Sequence, residues 1–181
     1  MTTHFEIAPA LQVTQWINTP APINLESLRG RVVVLHAFQM LCPGCVSHGL
    51  PQATRIREAF AERDVAVIGL HTVFEHHAVM TAEALHAFVH EYRLDFPIGI
   101  DQPAARGAVP LTMQAYSLRG TPSLVLIDQQ GRVRLNHFGR LDDLRAGALI
   151  GQLLAEMHAE PALTQAGCND DACAVEKFIL N

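Results

Sequence analysis

A chain of 181 residues, 49% apolar and 17% charged, fits one compact domain that buries roughly 70% of the surface its unfolded form exposes, and excludes a disordered chain. Its net charge of −5, from 13 basic and 18 acidic residues, offers no basic stripe for nucleic acid and no lysine-rich face for an anionic membrane. Four cysteines are too few for a disulfide scaffold, and no stretch approaches the roughly eighteen apolar residues of a membrane span.

The first residues, "MTTHFEIAPALQV", carry neither a basic leader nor an apolar core, so the expected location is the cytoplasm. "RVVVLHAF" (31–38) is short and β-branched, as a buried strand is. The segment from Pro43 to Arg63 reads as a helix with Ala53, Ile56, Ala59 and Phe60 on one face, kinked where Pro51 cannot donate to the carbonyl of Ser47. "VAVIGLH" (65–71) is a second buried strand, followed by an amphipathic helix at 81–92 with Thr81 as N-cap. "FPIGID" (96–101) and "SLVLID" (123–128) are further strands. The turn "QQG" then leads into "RVRLNHF" (132–138) as a hairpin. A helix over 141–158, begun by Asp142 or Asp143, closes the pattern.

Buried strands alternating with helices, ended by a hairpin and a helix, predict an α/β fold with helices on both sides of a mixed sheet. The domain is expected over residues 1–158. Residues 159–181 form a C-terminal tail that carries Cys168 and Cys173 in "CNDDAC".

The chemistry centres on "LCPGC". Cys42 ends a strand-to-helix turn, and Pro43 suits the first helical position. As N-cap, Cys42 can accept hydrogen bonds from the N–H groups of Gly44 and Cys45, at the positive end of the helix macrodipole. Both effects favour thiolate and mark Cys42 as the nucleophile. Cys45, one turn in, is placed to resolve a mixed disulfide. Two other uses of the motif remain open at this level: a structural disulfide, and a zinc site closed by Cys42, Cys45, Cys168 and Cys173. Paired zinc ligands usually sit on turns or knuckles, whereas Cys45 lies within a helix, so redox chemistry is favoured. The spacing of His86 and His90, and the run Glu75–His76–His77, also occur on solvated helix faces and loops, and no metal or other cofactor is assigned.

Strand, CxxC, interrupted helix and then "GTPSLVLIDQQGRVRLNHFGRLDDL" resemble the thioredoxin fold. The closer resemblance, over about residues 16 to 158, is to the TlpA/ResA-like thiol–disulfide oxidoreductases of the redoxin (AhpC/TSA) group. "INLESLRGRVVVLHAF" is similar to that family's lead-in to the active site, and the βαβ segment from Val65 to Asp101 to its insertion. The resemblance implies that Pro122 is a cis-proline facing the redox pair and that Thr121 offers its backbone to an extended substrate. It also implies that Glu75 lies near the thiols. Two positions depart from the family: Leu41 stands where a Trp is usual, and His36 where a buried Asp or Asn is common. An imidazole at His36 is a candidate acceptor for the Cys45 proton.

The function expected is reduction or exchange of disulfides, with protein or small-molecule disulfides and a thiol reductant or other electron donor as partners. Cys168 and Cys173 are a candidate auxiliary redox pair. A thiol-dependent peroxidase of the same group is the enzyme alternative. It would carry a Pro and a Thr or Ser at the positions that Leu35 and Gln39 occupy. A non-catalytic zinc-binding module is the alternative from another class.

Overall fold

The computed structural model describes residues 5–158. Six strands, β1 (Val13–Ile17), β2 (Val32–Phe38), β3 (Val65–His71), β4 (Ile98–Asp101), β5 (Ser123–Ile127) and β6 (Val133–Phe138), form one sheet in the order β1-β4-β3-β2-β5-β6. The β2–β3 and β3–β4 pairs are parallel and the other three antiparallel. The expected mixed sheet is present. Every residue of β2 and β3 is buried, which is why both read as unbroken apolar runs: helices and loops cover the central parallel pair on both faces.

One face holds the larger core. Val32, Val34 and Phe38 of β2 pack there with Leu50, Ala53 and Ile56 of helix α1 (Leu50–Ala59), Leu85 and Val89 of α2 (Ala82–Glu91), and Ile150 and Leu153 of α4 (Asp143–His158). Val33, Leu35 and Ala37 point to the other face, against Met113 of α3 (Leu111–Ala115) and the N-terminal segment. Thr81 caps α2 by accepting from the Ala84 N–H. Asp142 caps α4, its Oδ1 accepting from Leu144 and Arg145.

Three elements differ from expectation. The helix read as Pro43 to Arg63 contains a π-helical turn, Cys45–Gly49, before α1, and it stops at Ala59. Pro51 has no N–H to give, and the chain widens in the turn before it. Phe60 leaves the helix with extended backbone and packs against the core, so its apolar periodicity marked burial, not helix. The edge strand β1 and the five-residue α3 carry too little periodicity to be read from sequence. Asp101 creates α3: its Oδ1 accepts from the Thr112 N–H, and its Oδ2 from the Met113 N–H and the Thr72 hydroxyl.

Register positions the site. Phe38 pairs with His71 across β2–β3, and Ala37 with Ser123 across β2–β5. The exits of β2 and β3 and the entry to β5 therefore meet at one end of the sheet. Two histidines are buried there, His36 on β2 and His71 at the end of β3, each 2% exposed or less. Both ring nitrogens of His36 and the Nε2 of His71 lack a hydrogen-bond partner.

Burial pushes both imidazoles down from 6.5 to about 4. They are therefore neutral in the folded protein near pH 7. Between pH 6.5 and 4 the unfolded chain binds more protons than the folded one, so stability is present above that range and lost as pH falls through it. The full shift amounts to about 3 kcal/mol per histidine. Urea unfolding at pH 7 and pH 4.5 should show this loss in the wild-type protein and a clearly smaller one in His71→Leu. Equal losses in both would show that His71 is not buried as a neutral base.

Candidate functional site

The polypeptide leaves β2 at Phe38, crosses a short apolar link and turns into the CxxC. Cys42 closes the first turn: its carbonyl accepts from the N–H groups of Cys45 and Val46 at 3.0 and 3.1 Å. Its Sγ accepts from the Cys45 N–H at 3.2 Å. Of the two amides expected to reach that sulfur, Cys45 does so. Cys42 is half-buried and Cys45 fully buried, the asymmetry required of an attacking and a resolving thiol. A disulfide joins them, with the Cα atoms 5.2 Å apart.

Facing the pair is the loop into β5. The Thr121–Pro122 peptide bond is cis, and the Thr121 carbonyl oxygen lies 3.5 Å from Cys42 Sγ. Ser123, just inside β5, ties the loop back through its hydroxyl to the Gly120 carbonyl at 2.7 Å. Next to Cys42, Leu41 is 58% exposed, an apolar side chain on the rim where water would otherwise solvate a polar one.

His36 lies beneath the redox helix. A Cβ built on Gly49 would stand 2.3 Å from His36 Nε2 and 3.2 Å from Pro122 Cβ, so the imidazole tip fills the space that any side chain at 49 would need. Glycine is required by this approach, since overpacking here would drive apart the helix, β2 and the cis-proline loop. The backbone at Ser123 offsets the effect of burial on His36 only in part. It makes no hydrogen bond of ordinary geometry to the ring. His71 stacks at a tilt against Phe38, ring centroids 5.3 Å apart.

Glu75 is bonded to Gln39, a residue whose role the sequence reading missed. Gln39 is buried, with Nε2 3.3 Å from Glu75 Oε1 and 3.5 Å from Thr121 Oγ1, while its Oε1 accepts from the Phe74 N–H at 3.3 Å. Gln39 thus clamps the loop after β3 to the cis-proline loop. The one signal in the sequence was an amide in an otherwise apolar strand exit. Leu35 points to the far face of the sheet. His86 is hydrogen-bonded to Gln15 and His90 to Glu91, and the described residues contain no group of three or more candidate ligands that could hold a metal. Cys168 and Cys173 lie outside the described residues.

The redoxin family model matches residues 6–145. A thioredoxin-like superfamily protein of known crystal structure is 57% identical, with a TM-score of 0.81 over 82% of this chain and 96% of that one. A thiol-disulfide isomerase from Corynebacterium glutamicum is 50% identical, with a TM-score of 0.78 over 82% of this chain and 97% of its own. Protein DipZ of Mycobacterium bovis is 33% identical across 81% of this chain, which spans 20% of the length of DipZ. The thiol-disulfide oxidoreductase ResA of Halalkalibacterium halodurans is 26% identical across 67% of this chain and 61% of its own length. The chain belongs to the Redoxin family and has a thioredoxin-like fold, with a likeness to the TlpA/ResA-like thiol–disulfide oxidoreductases.

Proposed function

We propose that this protein exchanges disulfides with protein or small-molecule partners through Cys42 and Cys45. The observation that carries the reading is the cysteine pair, bonded at a helix start with the Cys42 sulfur turned to the Thr121 carbonyl. In the reducing direction the Cys42 thiolate attacks a substrate disulfide, forming a mixed disulfide and releasing one substrate thiolate. Cys45 then loses its proton and attacks the Cys42 sulfur, which releases the second substrate thiolate and leaves the Cys42–Cys45 disulfide. A thiol reductant or other electron donor returns the pair to dithiol. Oxidation of substrates is the same sequence reversed, and the difference between the pair's potential and its surroundings chooses between them.

Each neighbour has a role in this reading. The Cys45 N–H and the helix macrodipole stabilise the Cys42 thiolate. Leu41 and the Thr121 backbone form the docking edge for an extended substrate strand, with Pro122 shaping it. Glu75 stays at that edge through Gln39. His36, neutral at pH 7, packs its imidazole against Gly49, one turn after Cys45, and is the candidate base for the Cys45 proton. Its low basicity in the disulfide state rises when a negative sulfur forms beside it. A peroxidase reading finds less support: Leu35 is on the opposite face of β2, and the Gln39 amide is already engaged by Glu75, Phe74 and Thr121.

Reduced protein treated with a limiting alkylator near pH 7 should be labelled at Cys42 well before Cys45. Cys45→Ser should accumulate mixed disulfides with partners, whereas Cys42→Ser should form none. Preferential labelling of Cys45 would reverse the assignment.

The proton-transfer role separates from a structural one by kinetics. With an aromatic disulfide as substrate, each turnover releases two thiolates, one for each step. His36→Ala should slow the second release by about a hundredfold, the lower end for general bases, and leave the first unchanged. Equal rates with lowered stability would make His36 a structural residue.

A further inference from the structure

Helix α4 starts beside the redox helix and leads away from the site. Asp143, in its first turn, accepts from Gln52 and Arg55 of α1. Glu156, near its other end, pairs with Arg134, which also holds Asp128 just past β5. Between α1 and α4 lies a groove of about 190 Å³ with an apolar floor of Ile56, Ala59, Phe60 and Gly147. A Cβ at Gly147 would meet nothing within 4 Å, so this stretch of α4 presents bare backbone to open space. Gln52, Arg55 and Asp143 close the groove at the end nearer Cys42. The same three residues line a cavity of about 50 Å³ that reaches Pro122. Groove and cavity therefore form one track from the side of α4 to the cis-proline loop, with exposed His48 and Arg140 along its last part.

Length decides what can lie in that track. Beyond His158 the chain continues as residues 159–181, which hold Cys168 and Cys173. A segment returning along the sixteen residues of α4 covers about 24 Å, and about 15 Å more along the redox helix from Gln52 to Cys42. Cys168, ten residues past His158, falls short of that path, because ten extended residues span at most about 36 Å. Cys173, fifteen residues past His158, has about 50 Å of reach. Leu163 then comes level with Gly147, each about 17 Å from His158. With Cys173 at Cys42, Asp170 and Asp171 stand about 7–10 Å behind it, level with His48, which is about 9 Å along the helix from Cys42. An apolar side chain thus meets the apolar floor, and two carboxylates meet Arg140 and His48.

We propose that residues 159–173 seat in this track and bring Cys173 to Cys42, so that Cys168 and Cys173 are a second redox pair serving the first. The inference rests on disulfide exchange at Cys42 and adds an internal partner for it. With the tail reduced, the Cys173 thiolate attacks Cys42 Sγ. The Cys42–Cys173 bond forms, the Cys42–Cys45 bond breaks, and Cys45 leaves as a thiolate that takes up a proton. The Cys168 thiolate then attacks Cys173, which closes the Cys168–Cys173 disulfide and releases the Cys42 thiolate. Two electrons have passed from the tail to the helix. Of the two protons the tail thiols give up, one ends on Cys45 and the other in solvent. An external thiol reductant returns the tail to dithiol. Because the attacking sulfur belongs to the same chain, the exchange is intramolecular and competes with dilute external disulfides.

Full-length protein with Cys45→Ser and Cys168→Ser keeps Cys42 and Cys173, and its companion with Cys45→Ser and Cys173→Ser keeps Cys42 and Cys168. Each is equilibrated in a glutathione redox buffer, and mass spectrometry compares the intrachain disulfide with glutathione adducts. The Cys42–Cys173 bond should form at an effective concentration at least tenfold above that of Cys42–Cys168. Equal values, or the reverse order, would overturn the proposal. On the first background, Gly147→Leu fills the groove from an open position, and Leu163→Asp removes the apolar contact from the tail. Each should lower the effective concentration at least threefold. An unchanged value in Leu163→Asp would show that the track does not seat the tail, and it decides the matter even if Gly147→Leu disturbs α4. If Cys42 takes up glutathione but no intrachain bond forms, exchange at Cys42 stands and the internal partner is wrong. If Cys42 takes up no glutathione and forms no intrachain bond, the exchange reading fails and the internal partner fails with it.

Discussion

The approach of Gly49 to the His36 imidazole sets the distance between the redox helix and the sheet. With no side chain at 49, the turn rests directly on β2 and on Pro122. Everything reactive hangs from that contact. It draws Cys45 into the core and leaves Cys42 half-buried at the helix start. It also brings the cis-proline loop to within 3.5 Å of the Cys42 sulfur. A larger residue at 49, or a larger one at 36, would open the stack and separate the two sulfurs from the cis-proline loop. The π-helical turn over Cys45–Gly49 belongs to the same arrangement, since it widens the backbone between Cys45 and Pro51 where the imidazole must fit.

Around this contact the protein treats its two sulfurs differently by electrostatics alone. Cys42 has an amide N–H and the positive end of a helix directed at it, and both favour its charged form. Cys45 is fully buried in the apolar core, which favours the thiol. A thiolate forming at Cys45 therefore needs a place for its proton within the core. His36 is an uncharged base in that core, with no side-chain partner on either ring nitrogen. A carboxylate at position 36 would either carry its charge into the same space at a heavier desolvation cost or take up a proton there and lose its basicity. In the proposed cycle the imidazole would take a charge only when the negative sulfur is there to balance it.

Most of the fold was legible because its central strands obey a simple rule. β2, β3 and β5 are buried on both faces, and unbroken apolar runs between turn signals identify such strands. The helices with capping residues, α2 at Thr81 and α4 at Asp142, were legible for the same kind of local reason. What escaped depends on distant partners. α3 exists because Asp101, across a turn, satisfies its first amides, and β1 because an edge of the sheet is free to receive it. In the site, the helix-start chemistry of Cys42 could be argued from Pro43 and the spacing of the cysteines. Gln39 could not, because its meaning lies in bonds to Glu75, Phe74 and Thr121, up to 82 positions away in the chain.

That long-range clamp bears on how docking and chemistry are linked. Gln39 sits three residues before Cys42 and holds the loop after β3 against Thr121, so the docking edge and the nucleophile are supported by one stretch of β2 exit. His36, on the strand leading to that exit, is paired in register with Leu124, directly behind the cis-proline loop. The Thr121 loop, the Cys42 sulfur and the His36 imidazole are thus mounted on two neighbouring strands, β2 and β5, whose buried pairing admits little independent motion. Such rigidity suits disulfide exchange. Three sulfurs must lie nearly in line at each step, and in the resolving step a frame that holds Cys42 and Cys45 leaves only the substrate sulfur to be positioned by binding.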